Sequence, residues 1–595
     1  MRNWSRLGRS FRSLDLGCFA PQIALSAFRN KAQLQDVERS EQRSRVTITG
    51  RSITLACPVP RRMLCRVFGV VVSVMLLLSA AVDPPALAGG VEKEAGARDP
   101  GAYSHYTLGV IYDQEGKLSR AIQQYKLALR HEPRSAAIRT NLAADYIRKG
   151  RYDEARVQLE RAIKLDPAYP EAHFFLGAVY LRSGRFEQAI KEYEKVIELN
   201  PDYTQVYPLL GAIYTGRSDY DKAISACESL LRIEPDHILG HLNLASLYSQ
   251  QGRLDEAEAL YKKVIALRPG YISAYLGLGV LYEMRDEPDK ALQEYRQVLR
   301  FNPHDLESRQ RIGLVYYIQG RLDEAIEELV VCQGLDPRDV RTHYYLGSMY
   351  EANQMPAEAT DQFKRIIELD RNTTEAYVRL GYIYSKRGLR SEAIGAFKEA
   401  VELEPESSEL HFLLGLAYGD DGKYKKASPS YQRSIALDPK NSKTHFNLGV
   451  TYDKLGYFRR AIRQFRKTIE LDPECAHAYN YIGYLYAERG MNLDEAIRLV
   501  NHALEIDPDS GYFIDSLGWA YYQKGMFDEA LRELQRAVEL VKDDPIIYDH
   551  VGDAYYKKAI LSKAIEAWNE SLKLDPSNEK VKAKIKRILH HDDKD

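Results

Sequence analysis

The chain has 595 residues, 28% of them charged, and a formal net charge of −1 at pH 7. That balance argues against a binder of phosphate backbones held by bulk positive charge. Six cysteines with no CxxC pair and no zinc-like spacing argue against a metal- or disulfide-framed domain.

Residues 1–62 hold 12 Arg/Lys against 4 Asp/Glu, which leaves about −9 for the remainder. They are aperiodic and Ser-rich, and read as a basic non-globular extension. Two readings stay open: a misassigned start with Met63 as the initiator, or an Arg-rich targeting sequence. Residues 63–88 follow with Arg66, an apolar run from Val67 to Val82, and small residues at Ala86 and Ala88. That order is the pattern of a secretory signal cut after Ala88. The run of 16 is shorter than the roughly 20 apolar residues of a spanning helix. An uncleaved anchor using 67–82 is the alternative. Both readings place the chain outside the cytoplasm, periplasmic or anchored in the inner membrane. Residues 89–101 form a linker.

From residue 102 to 578 the chain is written in fourteen blocks of 34 residues. Within a block, position 8 is always small (Gly109, Ala143, Gly177, continuing to Gly552), position 11 is always Tyr and position 20 is always Ala. One extra residue in "ERGMNLDEA" makes the twelfth block 35 long. Positions 4, 8 and 11 make one helical stripe, and positions 20, 24 and 27 make a second. Ten blocks have Gly at position 15, where a left-handed residue ends the first helix. Asp153, Asp255, Asp323 and Asp528, near position 18, are expected to cap the second helix. A Pro near position 32 closes most blocks. Arg371 and Lys542 replace it in the eighth and thirteenth, predicting looser joints there. Small residues at 8 and 20 let the two helices approach closely, with the position-11 tyrosine expected to fill the groove beside them. A lone hairpin cannot bury both stripes, so the blocks must stack on one another.

These positions resemble the tetratricopeptide repeat (TPR) family over residues 102–578. The resemblance implies an all-α fold: an α-α superhelical solenoid of about 14 hairpins whose first helices line a groove that binds a protein or peptide. Residues 579–595 depart from the repeat. Val581, Ile585, Ile588 and Leu589 share one face there, as expected of a capping helix with a basic outer side.

By the same resemblance, positions 2, 5, 6, 9, 12 and 13 face the groove. The partner-binding residues expected there are Tyr106, Asn141, Phe174, Phe175, Asn243, Tyr344, Tyr345, Asn447, Tyr481 and Trp519, since rigid aromatics often anchor binding surfaces. Asn141, Asn243 and Asn447 at position 6 are similar to the peptide-backbone ladder in the TPR arm of O-linked N-acetylglucosamine transferases, interrupted here by Phe175, Leu209, Gly277 and Arg311. Arg148, Arg182, Arg311, Arg379 and Lys386 are candidates to pair with acidic groups of a ligand. The histidines at position 4 (His105, His173, His241, His343, His411, His445) keep no fixed acidic or Cys partner, so they read as joints between hairpins rather than metal ligands. Cys227 and Cys332 occupy core slots.

No nucleophile with a base, metal cluster or phosphate loop is found, so no catalytic residue, metal or cofactor is expected. Nucleic acid is not an expected partner. The leading reading is a non-enzymatic scaffold or adaptor serving envelope assembly, secretion or protease tethering. The alternative is a recognition subunit serving a separate enzyme such as a glycosyltransferase.

Overall fold

The computed structural model describes residues 100–592, and these form 29 helices and no strand. The extension, the signal-like segment and most of the linker lie outside the described residues. None of the described helices is long and apolar enough to cross a membrane. The described residues divide into two compact units, parted after Pro337. The first unit holds seven helical hairpins, from Pro100–Gln114 with Leu118–His131 to Leu306–Ile318 with Leu322–Leu335. The second holds seven more, beginning at Val340–Ala352 and Pro356–Leu369, and ends in the helix Glu579–Asp592.

Each hairpin closes where position 8 of the first helix meets position 24 of the second. A Cβ added at Gly109, Gly177, Gly381 or Gly415 would strike the ring of Tyr125, Tyr193, Phe397 or Tyr431. The ring at position 24 therefore fills the groove that glycine opens, a place expected for the position-11 tyrosine. Position 20 allows the same approach from the other side: Ala121, Ala155 and Ala189 are fully buried. Where position 8 is Ala245, the partner ring of Tyr261 lies instead against Gly277 in the following hairpin. One glycine has, in effect, moved a block along.

The position-11 tyrosine works between hairpins. Tyr214 and Tyr248 donate to Glu194 and Glu228 on the preceding second helix, at 3.0 and 3.1 Å. In the second unit Gln432 and Gln535 donate to the hydroxyls of Tyr452 and Tyr555 at 2.7 and 2.6 Å. The tyrosine carbonyl also closes the first helix, as where the Lys117 N–H donates to Tyr112 across left-handed Gly116. All ten position-15 glycines have positive φ, and Ser218, Asp286, Gln354 and Ala559 adopt the same conformation in the other four blocks. The extra residue of the twelfth block is absorbed by Asn492, also left-handed.

Position 4 supplies a second latch. His173 bonds Glu192 of its own hairpin at 2.6 Å and the Pro167 carbonyl of the preceding turn at 3.1 Å. His445 does the same with Gln464 and Pro439, and the Tyr207 hydroxyl donates to the Pro201 carbonyl. The histidines are thus joints, as expected. At the two turns lacking proline, Tyr548 reaches the Lys542 carbonyl only at 3.5 Å. Tyr377 makes no bond to Arg371 among the described residues.

Two local expectations differ. Asp153, Asp255, Asp323 and Asp528 lie inside the first turn of their helices, whose N-cap positions are taken by Arg151, Arg253, Arg321 and Met526. There they face the positive end of the helix dipole. Side-chain caps occur on first helices instead, from Ser135, Asp305, Asp339 and Asn441. In the terminal helix Val581 and Ile588 are buried and Ile585 is partly so, but Leu589 is exposed.

Candidate functional site

Positions 2, 6, 9 and 13 fall one helical turn or so apart, so they form one stripe on each first helix. Cross-links between successive first helices fix the direction of that stripe. Asn141 Nδ2 at position 6 donates to the Tyr106 hydroxyl at position 5 of the preceding hairpin, 2.9 Å away. Arg379 donates to the Tyr344 hydroxyl at 3.3 Å and to Glu351 and Glu375 at 3.2 Å. Arg311 pairs with Glu283 and Glu307 at 3.4 Å. His550 Nδ1 bonds Asp515 at 2.8 Å, and Lys584 of the terminal helix pairs with Asp549 and Asp553 at 2.6 Å. Where position 6 is Asn141, Arg311, Arg379 or His550 it therefore binds its first helix to the one before it.

This ladder consumes several residues expected to touch a partner. Asn141 is 5% exposed, and Phe174 and Phe175 are 1% and 4% exposed. Phe174 packs between Tyr203 and Tyr193, at 5.2 and 6.0 Å between centroids. These three are core, because neighbouring first helices close over them. Arg311 and Arg379 are committed to carboxylates of their own unit, and Arg148 to Asp113 and Asp145. Burial opposes the Arg379 charge, yet Tyr344, Glu351 and Glu375 outweigh it and raise its pKa. Arg182 and Lys386 remain exposed.

The remaining expected residues are half-buried. Tyr344 and Tyr345 meet edge to face at 6.3 Å. Tyr481 stacks on Phe465 at 5.0 Å, and burial pushes its phenol up. Trp519 is stacked between Tyr522 at 4.8 Å and His550 at 4.1 Å. Asn447 Nδ2 donates to its own helix, at the Lys443 carbonyl, 2.9 Å away. Among the described residues Asn243 has no hydrogen-bond partner.

Sequence reasoning directed at aromatics missed three exposed aliphatic side chains on the same stripe. Leu239, Met284 and Ile318, at positions 2, 13 and 13, are 44%, 40% and 53% exposed. Aliphatic residues at stripe positions 2 and 13 were the signal. Chemically, the face offers apolar surface and carboxamide. Among the described residues no group of three His, Cys, Asp or Glu is placed to hold a metal. Burial pushes the Cys227 thiol up to about 12.

Sequence family models described as tetratricopeptide repeat or TPR repeat match residues 114–311, 306–339, 374–407, 419–511 and 518–559. The chain is built of tetratricopeptide repeats. The matches fall in both TPR units and track the helical hairpins described above. No curated protein matches the chain. Solved structures similar to it include MamA, 31% identical over 27% of this chain and 95% of that chain, TM-score 0.27. The Cut9–Hcn1 hetero-tetramer of the APC/C is 15% identical over 85% of this chain and 99% of that chain, TM-score 0.35. YrrB, a TPR protein with an unusual peptide-binding site, is 21% identical over 31% of this chain and 95% of that chain, TM-score 0.29.

Proposed function

We propose that this TPR protein is a non-enzymatic scaffold of the cell envelope that holds a protein or peptide partner on the stripe of its first helices. The observation that carries the reading is the division of labour on that face. Position 6 cross-links the hairpins where it is Asn141, Arg311, Arg379 or His550, while apolar and aromatic groups beside it stay accessible. Accessible apolar groups on a folded chain mark interaction surfaces. The charge–apolar–small order of residues 61–88 supports export, with 67–82 either removed or kept as an anchor.

Photo-crosslinking amino acids at Tyr345 and Trp519 of the full chain, followed by mass spectrometry of the envelope fraction, test the reading. A discrete partner crosslinked at these positions and not at Lys195 on a second helix is the expected result. Equal labelling at all three sites would remove the face as the binding surface. Mass spectrometry of the purified chain reads the cut after Ala88. A chain recovered in the cytosol with residues 63–88 intact would remove the envelope assignment.

A further inference from the structure

Several joints between hairpins carry an electrostatic latch on the second-helix side. The residue at position 14, which closes a first helix, pairs with the position-18 side chain of the second helix before it. Arg217 meets Glu187 at 2.6 Å and Lys524 meets Asp494 at 2.7 Å, and Arg285 and Lys558 pair with Asp255 and Asp528. The joint of the eleventh and twelfth hairpins, inside the second unit, departs from this pattern. There position 18 is Arg459 and position 14 is Arg489, two cations where other joints hold an ion pair. Both are exposed, as are Lys425, Lys426, Arg460 and Arg463 on the second helices Tyr424–Leu437 and Phe458–Leu471. None of the six forms an ion pair with a carboxylate among the described residues. Neighbouring acids have partners of their own: Asp421 pairs with Lys423 at 2.6 Å, Glu470 with Lys467 at 2.8 Å and Glu495 with Arg466 at 3.0 Å. Asp453 and Glu488 lie within electrostatic range of Arg489 without pairing with it.

The arrangement is unfavourable to folding. Ten of the fourteen second helices carry an acid in their first turn, whereas these two begin Tyr-Lys-Lys and Phe-Arg-Arg. Cations there oppose the helix dipole, and Arg459 and Arg463 are like charges one turn apart. Local choices that oppose the fold collect at functional sites. Two of the guanidiniums are also held in place by rings: Arg489 lies over Phe458 at 4.4 Å and Arg460 over Tyr457 at 5.2 Å.

We infer that this cluster is a docking site for a short acidic segment of a partner protein, whose carboxylates take the place of the missing position-18 acid between Arg459 and Arg489. A guanidinium fork matches a carboxylate through two parallel hydrogen bonds. The surroundings favour a narrow ligand over a broad anionic surface such as a membrane. Exposed Glu392 and Asp494, in the first turns of the second helices on either side, would repel the broad surface. The cluster lies apart from the stripe of first helices, so its failure leaves the scaffold reading standing.

The test uses the full chain and two fluorescein-labelled, end-blocked peptides, one rich in Asp and Glu, the other with Asn and Gln in their place. Fluorescence polarisation at low salt should show the acidic peptide bound and the amide peptide at least about tenfold weaker. Arg459→Asp restores the ion pair of the other joints, now with Arg489. Its urea midpoint should therefore hold or rise while its affinity for the acidic peptide falls about tenfold. A lowered midpoint would show that the arginine serves the fold and would overturn the inference. Lys191→Asp makes the same charge change at an exposed position 22 of another second helix and should leave binding unchanged. Equal losses in the two variants would reduce the binding to bulk charge, and equal binding of the two peptides would remove the carboxylate from recognition; either overturns the inference. So would co-sedimentation with phosphatidylglycerol vesicles that Arg459→Asp abolishes, in the absence of peptide binding; the cluster would then belong to a membrane surface.

Discussion

At Gly381 an added Cβ would stand 2.5 Å from the Phe397 ring, whereas at Gly211 the nearest atom, Cys227 Sγ, is 3.7 Å away. The same substitution should therefore have opposite signs. Gly381→Ala forces the ring off its site and should cost about 1–3 kcal/mol. Gly211→Ala meets no obstacle and removes glycine's backbone entropy from a helix, a gain of about 0.5–1 kcal/mol. Urea denaturation of the full-length variants reads both. A second residue-scale test uses Ala559, held at φ 59° where the other blocks mostly have glycine. Left-handed backbone costs an L-residue about 1–2 kcal/mol, so Ala559→Gly should raise the stability of the last hairpin by about 0.5–1 kcal/mol. A lower unfolding midpoint would show that this turn stores no strain.

Between elements, the joint of the first two hairpins is sensitive to pH. Burial first, then the neighbouring Asp113, raise the Asp145 carboxyl to about 8, against the opposing charges of Arg148 and Lys149. Folding thus favours the protonated acid. Its stabilising contribution is complete below the unfolded pKa near 4 and is lost as pH rises toward 8. Asp145→Asn keeps the shape and carries an N–H donor toward Asp113 at every pH. Amide protection factors in residues 136–148 should fall between about pH 5 and 8 in the native chain and stay nearly level in the variant. Parallel decline in both would assign the effect to another group. The repeat period, helix boundaries and His latches were legible in the sequence, because they depend on spacing within one hairpin and its adjoining turn. The position-24 ring over glycine was not, since position 8 selects its partner from the opposite helix and sequence spacing does not say which.

At the scale of the molecule, each unit is a stack whose last hairpin needs a cover. In the second unit the terminal helix supplies it: Val581 and Ile588 bury against a cluster containing Trp568 and Tyr555, and Lys584 lies over the Trp568 ring at 5.7 Å. Ending the chain at residue 578 would expose that cluster. Indole fluorescence should shift to the red, and amide exchange should rise first in residues 545–574 and less in the hairpins before them. Uniform loss across the unit would mean that the hairpins unfold as one block. The same stacking explains why the candidate site was only half legible. Tyr345, Tyr481 and Trp519 stand half-buried on the expected stripe. Asn141, Phe174 and Phe175 occupy the equivalent sequence positions, yet their neighbours close over them.

The sequence by itself determined the fourteen hairpins and the ten left-handed glycine turns, because each follows from composition and spacing inside a unit of 34 residues. Tertiary structure alone decided which stripe residues are cross-links and which are free surface. Arg311 and Ile318 sit on one helix face, about two turns apart. The first is spent on Glu283 of the preceding hairpin and the second is left in water. That difference depends on what the neighbouring helix places opposite each side chain, and no periodicity within a single block contains it.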